Sequence, residues 1–481
     1  MGKFAFATTV LPGVSKVGGR MDNKVQNGTG GEAAIISVLW NKEFLHRVFS
    51  HLDLAEDIKA CSLVTKIWAE VGVSVLLKKF PLRLSTDLNT QKVLTHMHKF
   101  PAQVEIRCVG CPPNYAHLDQ LLAPHENTMD VKSLHIINDG ILGERFAKFL
   151  ARSGNYFLNS LTTLSLTLSS GKMFLPPCRP DRPVFPTVTT LSIDQVQNRV
   201  QKVSCCRLQM DDDENGENFL RLCPNLTNLT VHSSVLPVVY GELLQFPENY
   251  QGLQSFKIIC NCEPCTKCNR LCYSLLPEVD IPLTKLHITN FFLADAAGPG
   301  ILSKIFHRFS ATLEELEFSW IQFTDTSRGT LVWPIMPNLK KLTMHIGNRT
   351  DPKFNPEQPL SCVEFLYETG DLERGLDLNY STQFPSLVQL SIICCNETQH
   401  DKFRYSFEIY KMFFPHDTQT WDSLTTLDIT FPPICPEDED PNTKRWFNCW
   451  RAGKYYDYNR FCSKIAKILP NWKTPRLTDN T

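Results

Sequence analysis

A short apolar motif recurs along most of this chain and limits the folds that it can adopt. In each copy, an apolar residue is followed by two other residues, a second apolar residue, one other residue and a third apolar residue. Ten copies end at Ile136, Leu166, Ile193, Val231, Ile258, Ile288, Phe318, Met344, Ile392 and Ile429. Their successive spacings are 30, 27, 38, 27, 30, 30, 26, 48 and 37 residues. Repetition at such a period is typical of a solenoid, because a single repeat cannot bury its apolar side alone.

Two weaker copies extend this array. One ends at Ile106, and the other ends at Phe365, where it would divide the 48-residue spacing into 21 and 27. Between copies, residues 143–157 and 299–313 carry apolar residues at helical spacing and are predicted to form return helices. The expected fold class is therefore α/β with parallel strands. A β-rich domain that contains chance copies of the motif is the alternative.

The motif and its period, mostly near 26 to 30 residues, resemble leucine-rich repeats. The resemblance implies a horseshoe-shaped solenoid whose parallel strands line the concave face. Asn261 and Cys395 alone supply the Asn or Cys that usually closes the family's motif, so the array is degenerate. We divide the chain into residues 1–35 as a disordered N-terminal segment, 36–80 as a helical segment, 81–434 as the solenoid and 435–481 as a C-terminal cap and tail.

Polar side chains that flank the buried positions of each repeat point to the opposite face of the strand. They would form a strip on the concave face that is nearly balanced in charge and has no arginine cluster suited to phosphate. This strip is the predicted target-binding surface, with His135, Ser165, Thr230, His232, His287, Glu317, Thr343 and His345 as its candidate residues. Because the histidines belong to different repeats, we interpret them as solvated polar residues rather than as a metal site or a pH switch.

The stretch EFLHRVFSHLDLAEDIKACSLVTKIW, residues 43–68, stands apart from the repeats. Apolar residues at helical spacing form one stripe before Asp53 and a second stripe after it. Asp53 is positioned to cap a new helix, with Glu56 bonding back to it as in a capping box. Two or three short helices over roughly 40 residues rarely make a sufficient core. Such a segment either packs on the next domain or presents apolar surface to another protein.

This stretch resembles an F-box, a small helical module. The matching positions are Glu43, Leu45, Val48, Phe49, Ser50, Leu52 and Asp53 in the first half, and Cys61, Ser62, Leu63, Val64, Lys66 and Trp68 in the second. Trp40 and Asn41 stand where the family usually has Leu-Pro. The resemblance implies binding to the Skp adaptor through Trp40, Phe44, Leu45, Val48, Phe49, Leu52, Ile58, Leu63, Val64 and Trp68.

Together, the two resemblances imply a substrate receptor of an SCF-type cullin-RING ubiquitin ligase, with the repeats holding a target protein. A leucine-rich scaffold that is not coupled to ubiquitination is the alternative. The chain has no G-x-S-x-G, Walker A, G-x-G-x-x-G or H-E-x-x-H motif, so we expect no catalysis by the chain itself and no cofactor.

Composition limits the partners and the compartment. The 481 residues include 49 Lys and Arg against 50 Asp and Glu, a formal net charge of -1 that gives no general attraction to nucleic acid or to an anionic membrane. The sequence carries no secretory signal pattern and no apolar run of membrane-spanning length. We therefore expect a cytoplasmic or nuclear protein whose 18 cysteines are reduced.

The cysteines at 260, 262, 265, 268 and 272 form the densest cluster in the sequence. Four thiolates at this spacing could bind one zinc ion, and the run from Cys262 also matches part of a ferredoxin ligand pattern. A surface loop with reduced thiols is the preferred interpretation, because paired C-x-x-C motifs that bind zinc are usually separated by a dozen or more residues. No metal ligand is assigned.

Overall fold

The computed structural model describes residues 41–85, 102–108, 130–138, 160–169, 185–196, 219–260, 273–292, 297–322, 329–348, 363–368, 374–375, 380–396 and 423–430, with single helical positions at 118, 120, 122 and 149. The chain forms two compact units. The first unit comprises residues 1–141 and 145–165, and the second comprises residues 142–144 and 166–481.

The first unit begins with a helical bundle made of α1 (Lys42–Ser50), α2 (Ala55–Ser62) and α3 (Lys66–Lys79). The Asn41 side chain accepts hydrogen bonds from the Glu43 and Phe44 backbone N–H groups, at 2.9 and 3.1 Å, and so caps α1. Thr65 caps α3 by accepting from the Trp68 N–H at 3.2 Å. The predicted capping box at the start of α2 is wrong: α2 begins after Leu54 and has no side-chain cap.

The bundle has a small core of its own. Its fully buried apolar side chains are Leu45, Phe49, Ile58, Val71 and Val75, with Leu52, Cys61, Ile67, Trp68, Leu76 and Phe80 packed partly buried around them. The Phe49 and Trp68 rings pack edge to face with their centroids 5.6 Å apart. The core thus uses the inner faces of all three helices, which agrees with the helical apolar spacing of the sequence.

Twelve strands form one parallel sheet in the order β1-β2-β3-β4-β5-β6-β7-β8-β9-β11-β14-β15. The sheet strands are β1 (Leu82–Ser85), β2 (Gln103–Cys108), β3 (Ser133–Asn138), β4 (Thr163–Ser169), β5 (Thr190–Val196), β6 (Asn228–His232), β7 (Ser255–Ile259), β8 (Lys285–Phe292), β9 (Glu315–Gln322), β11 (Lys341–Asn348), β14 (Gln389–Asn396) and β15 (Thr426–Thr430). A second sheet joins β10 (Gly329–Trp333), β12 (Val363–Glu368) and β13 (Arg374–Gly375). The further helices are α4 (Leu236–Gln245), α5 (Ala297–Phe309) and α6 (Tyr380–Gln383). The prediction of an α/β chain with parallel strands is confirmed.

A hydrogen-bond ladder links equivalent positions just before the strands. The carbonyl of Gln254 accepts from Thr284 and Lys285, and the carbonyl of Thr284 accepts in the same way from Glu314 and Glu315, at 2.8 to 3.0 Å. In the second unit these acceptors are Thr189, Thr227, Gln254, Thr284, Glu314, Lys340 and Val388. The number of residues between successive acceptors equals the spacing between the corresponding copies of the sequence motif. All ten motifs with the full pattern form strands of the large sheet.

The two weaker copies have different outcomes. The copy ending at Ile106 forms β2, as expected. The expectation that the copy ending at Phe365 belongs to the same array is wrong, because it forms β12 and pairs in parallel with β10 in the second sheet. β11 pairs directly with β14 across the 48-residue spacing. The sequence motif also missed β1, which pairs with β2.

Return segments of the second unit supply the other side of its core. α5 confirms the predicted helix within 299–313 and buries Leu302, Ile305, Phe306 and Phe309. Trp333 of β10 stacks on Phe306 at a centroid distance of 4.7 Å and also contacts the ring of Phe318 in β9. The predicted helix at 143–157 lies outside the described residues except for position 149. Residues 1–35 and 435–481 also lie outside them.

A buried carboxylate joins two return segments of the second unit. Glu242 of α4 accepts from Arg221 Nε at 2.8 Å and from the Tyr250 hydroxyl at 3.2 Å, and its side chain is 3% exposed. The Arg221 guanidinium also lies 4.7 Å from the centre of the Phe246 ring. The Glu242 carboxylate is paired with Arg221 and hydrogen-bonded to Tyr250, so it stabilises the packing of these segments and is not a ligand site.

Candidate functional site

The structure divides the predicted adaptor-binding residues into buried and exposed groups. Leu45, Phe49 and Ile58 are at most 1% exposed. They hold the bundle together, and their side chains are shielded from solvent in this conformation. Leu52 and Trp68 are partly buried against the same core. Trp40 lies outside the described residues.

The remaining predicted residues are exposed to solvent. Phe44 and Val48, one turn apart on α1, are 42% and 38% exposed, and Leu63 and Val64 are 88% and 61% exposed. Sequence reasoning missed Leu54 and Val73, which are also exposed apolar side chains of the bundle. We call these six residues the exposed apolar set: Phe44, Val48, Leu54, Leu63, Val64 and Val73.

Backbone geometry explains why Leu63 and Val64 are exposed. Their N–H groups donate to the carbonyls of Ala60 and Cys61, at 3.2 and 3.1 Å, which closes the turn between α2 and α3. Thr65 then starts α3 in extended conformation. Two large apolar side chains in a solvent-facing turn cost solvation free energy that nothing in the bundle offsets, and such exposure is typical of a contact surface.

The polar face of the second unit contains a cluster of titratable side chains from three adjacent strands. Strand pairing places His287 of β8 beside Glu317 of β9, and β11 lies on the other side of β9. His287 Nε2 and His345 Nε2 lie 3.2 and 3.0 Å from the same oxygen, Glu317 Oε1. Since a carboxylate only accepts hydrogen bonds, the hydrogen of the His345–Glu317 hydrogen bond lies on His345 Nε2. We call His287, Glu317 and His345 the His–Glu–His cluster.

The surroundings hold His287 in its neutral form. Partial burial lowers the pKa of His287 to about 4, Lys257 and His345 act in the same direction, and Glu317 opposes them. Lys257 is the cross-strand neighbour of His287 on β7. A neutral imidazole at pH 7 adds no charge to the polar face.

A second row of charged residues runs next to the cluster. Lys285 Nζ lies 2.6 Å from Glu315 Oε1, and the same register places Lys341 on the other side of Glu315. The acidic side chains of β9 are thus flanked by basic or imidazole side chains of β8 and β11. This cross-strand pairing explains how a face with several charges remains nearly neutral.

The other predicted target-binding residues differ in exposure. His135 and Ser165 lie on β3 and β4 in the first unit and are partly buried, as is Thr230 on β6. His232 is 4% exposed and Thr343 is 6% exposed, so neither offers a side chain to a target in this conformation. Burial lowers the pKa of His232, while Asp194 opposes that shift.

Sequence reasoning missed the carboxylate that two of the histidines share. His287 is in register with Glu317, whereas His345 is in register with Ser319 and contacts Glu317 diagonally across the strands. A signal was available: His287 and Glu317 occupy the same position of motifs 30 residues apart, and β-strand register converts equal motif positions into neighbours.

Within the described ranges, no group of three or more His, Cys, Asp or Glu side chains is arranged to hold a metal ion. The cysteines at 262, 265, 268 and 272 lie outside these ranges. Cys260 is buried, and its backbone N–H donates to Thr289 Oγ1 at 2.8 Å.

Two comparisons with known proteins found no match. No protein-family model matches the chain. No curated protein matches it either. No helix in the part of the chain that the structure describes has the length and apolar character needed to cross a membrane.

Proposed function

We propose that this chain is the substrate-recognition subunit of an SCF-type cullin-RING ubiquitin ligase. The helical bundle binds the Skp adaptor, and the leucine-rich repeats bind the target protein. The chain performs no chemistry itself. It raises the effective concentration of target lysines near a thioester-bound ubiquitin held elsewhere in the complex.

The exposed apolar set of the bundle supports this proposal most directly. Leu63 is the most exposed member of the set at 88%, Val64 is 61% exposed, and both lie in the segment that resembles the second half of an F-box. Exposed large apolar side chains mark protein-interaction surfaces, and burying each one stabilises a complex by about 1.5–3 kcal/mol. Adaptor contact through this set leaves Leu45, Phe49 and Ile58 to hold the bundle together.

The polar face of the second unit supports the target-binding half of the proposal. The His–Glu–His cluster and the Lys285–Glu315 pair present preorganised hydrogen-bonding groups on adjacent strands. Rigid strands hold such groups at fixed separations, so little conformational entropy is lost when a target docks. We place the target contact there, with His287, Glu317 and His345 at its centre. Repeat-built parallel strands are consistent with a solenoid that presents this face.

A leucine-rich scaffold without a link to ubiquitination is the second candidate. The sequence departs from the F-box pattern at Trp40 and Asn41, and Asn41 instead caps α1. In a scaffold, the exposed apolar set would contact some other protein or none. Adaptor binding separates the two functions.

The decisive experiment measures binding of purified Skp adaptor to the full chain and to a Leu63→Ser, Val64→Ser double variant. We expect the wild type to bind and the variant to lose about tenfold or more in affinity, because truncation at an interface centre commonly costs over 1 kcal/mol per residue. Since both side chains are exposed, the thermal transition should stay unchanged.

A Leu244→Ser, Val388→Ser double variant is the matched control, because these two apolar residues of the second unit are 37% and 43% exposed. It should bind adaptor like the wild type. A wild-type chain that does not bind the adaptor would leave the scaffold function as the better description. Equal loss in both double variants would show that the exposed apolar set is not the adaptor surface.

A further inference from the structure

Lys79, in the last turn of α3, reaches across the bundle to the connection between α1 and α2. Its Nζ donates to the carbonyls of Ser50 and Leu52, at 3.1 and 2.6 Å, and to Asp53 Oδ1 at 3.0 Å. The three acceptors use all three hydrogens of the ammonium group. One side chain thus fixes the end of α1 and the chain that leaves it.

The other hydrogen bonds of this connection are local, since the His51 and Leu52 N–H groups donate to the Val48 and Phe49 carbonyls of α1, each at 3.1 Å. α1 and α3 have side-chain caps from Asn41 and Thr65, whereas α2 begins after Leu54 without any. An uncapped helix start leaves its first N–H groups dependent on solvent. The Leu54 side chain is 62% exposed and belongs to the exposed apolar set. The position of Leu54 therefore depends on what holds residues 50–53.

Charge alone does not explain the contribution of Lys79. The Asp53 side chain is 91% exposed, and ion pairs with such a partner contribute little to stability. The Lys79 side chain is 30% exposed, and its two carbonyl acceptors are at a helix end, where an ammonium group also complements the helix dipole. Lys79 therefore restrains the backbone of residues 50–52 mainly through its hydrogen bonds to two carbonyls.

We propose that Lys79 is a positioning residue for adaptor binding: its ammonium group holds the α1–α2 connection so that Leu54 and the start of α2 are presented to the Skp adaptor. This inference rests on the proposed function for its partner. Lys79 itself need not touch the adaptor. Loss of the ammonium group frees residues 51–55 while the buried core of the bundle stays intact.

The test compares Lys79→Met, which keeps the alkyl chain but removes the donors, with Lys79→Arg, which keeps a cationic donor. Lys78→Met is the matched control, because Lys78 is the adjacent residue and its Nζ lies near His46 Nε2 at 3.4 Å, away from the connection. Two quantities are measured on the full chain: amide hydrogen exchange of residues 51–57, and affinity for purified Skp adaptor.

We expect Lys79→Met to raise exchange at residues 51–57 about tenfold or more without changing exchange in α3, and to weaken adaptor binding. Lys79→Arg should keep most of the wild-type protection from exchange and most of the adaptor affinity. Lys78→Met should change neither the exchange at residues 51–57 nor the affinity. Wild-type exchange and affinity in Lys79→Met would overturn the proposal. Faster exchange throughout the bundle would also overturn it, since that result indicates general destabilisation.

The two readouts separate this inference from the proposed function. If the wild-type chain does not bind the adaptor, the proposed function fails, and hydrogen exchange still reports whether Lys79 holds the connection. If exchange rises at 51–57 but affinity stays unchanged, Lys79 is a clamp without a positioning role, and the inference fails while the proposed function stands.

Discussion

Glu317 shows how one side chain organises the polar face of the second unit. Its Oε1 accepts a hydrogen bond from His345 and lies 3.2 Å from His287 Nε2, and its negative charge raises the pKa of His287 against the stronger effect of burial. Lys257 acts on His287 in the opposite direction. The protonation state of His287 therefore depends on two neighbours of opposite charge as well as on burial, and each neighbour can be removed separately.

The first prediction concerns the titration of His287. We expect its midpoint near the pKa of about 4, to be read from the imidazole NMR signals. Glu317→Gln should lower the midpoint, because the attraction for the imidazolium is lost, and Lys257→Met should raise it, because a repulsion is lost. A midpoint that does not move in either variant would show that burial alone sets this pKa.

The second prediction follows from the same shift. His287 has a lower pKa in the folded protein than the ordinary value of 6.5, so the unfolded chain binds more protons between about pH 6.5 and 4. The free energy of unfolding should fall as the pH falls through this window. In His287→Gln, the free energy of unfolding should fall less between pH 7 and pH 4.5 than in the wild type. Urea denaturation at the two pH values measures this difference. An equal loss in wild type and variant would contradict this prediction.

At the scale of helices and strands, close packing decides which substitutions are tolerated. Gly72 of α3 lies where a Cβ would be 1.9 Å from Ser62 Oγ and 3.3 Å from the Phe49 ring. Gly241 of α4 has nothing within 4 Å of the same position. Both glycines are inside helices, where alanine is intrinsically better by about 1 kcal/mol. They form a natural pair for separating helix propensity from packing.

The third prediction compares these glycines. Gly241→Ala should raise the free energy of unfolding by about 0.5–1 kcal/mol, since only helix propensity changes. Gly72→Ala should lower it by about 1–3 kcal/mol, because the new methyl group forces α2 and α3 apart. Urea denaturation followed by helical circular dichroism measures both. Stabilisation by Gly72→Ala would mean that Ser62 rotates away at little cost.

Trp333 is the side chain through which the second sheet joins the core of the second unit. It contacts Phe306 of α5, Phe318 of β9 and Phe384, and it is fully buried. Three of these four rings come from three successive elements of the second unit, and the fourth comes from the residue after α6. Leu331 and Trp333 of β10 thus contribute to the core although β10 does not belong to the large sheet.

The fourth prediction is that Trp333→Ala lowers the free energy of unfolding by about 3–5 kcal/mol, the usual cost of truncating a buried aromatic residue. Trp333→Phe should cost less, because a ring still fills most of the site. Thermal denaturation measures both. A loss below about 1 kcal/mol in Trp333→Ala would contradict the central role of this ring.

Across the large sheet, neighbouring strands depend on one another. Each strand hydrogen-bonds to the strands beside it, and the apolar positions form continuous rows, as with Leu286, Leu316 and Leu342 on β8, β9 and β11. In such a repeat array, stability depends on each strand and on its nearest neighbours. A local defect should therefore spread to adjacent strands and fade beyond them.

The fifth prediction tests this coupling with Leu316→Ala, which should cost about 2–5 kcal/mol. Amide hydrogen exchange should increase most in β8, β9 and β11 and least in β5 and β6. Exchange measured by mass spectrometry on the second unit resolves these strands. A uniform increase over all strands would instead indicate one cooperative unit without nearest-neighbour behaviour.

The sequence by itself determined eleven of the twelve strands of the large sheet, together with the helices of the bundle and α5. Copies of one motif form ten of its strands, because alternation of apolar residues within six positions is a local property of a strand. The helical spacing around Phe49 and within 299–313 likewise predicted α1 and α5, since amphipathic periodicity is also local. The recurrence of the motif along the chain then predicted that successive strands lie side by side and parallel.

Only the tertiary structure decided which of these residues are available to a partner. The copy ending at Phe365 fits the motif, yet its pairing with β10 depends on chain folding between β11 and β14. Leu45 and Leu63 are both apolar members of the helical segment, but one is buried and the other is 88% exposed. The contacts of the His–Glu–His cluster and of Lys79 join residues that are 26 to 30 positions apart in the sequence. Burial and contact are non-local properties, and a periodic pattern specifies which side of an element is apolar but not what covers it.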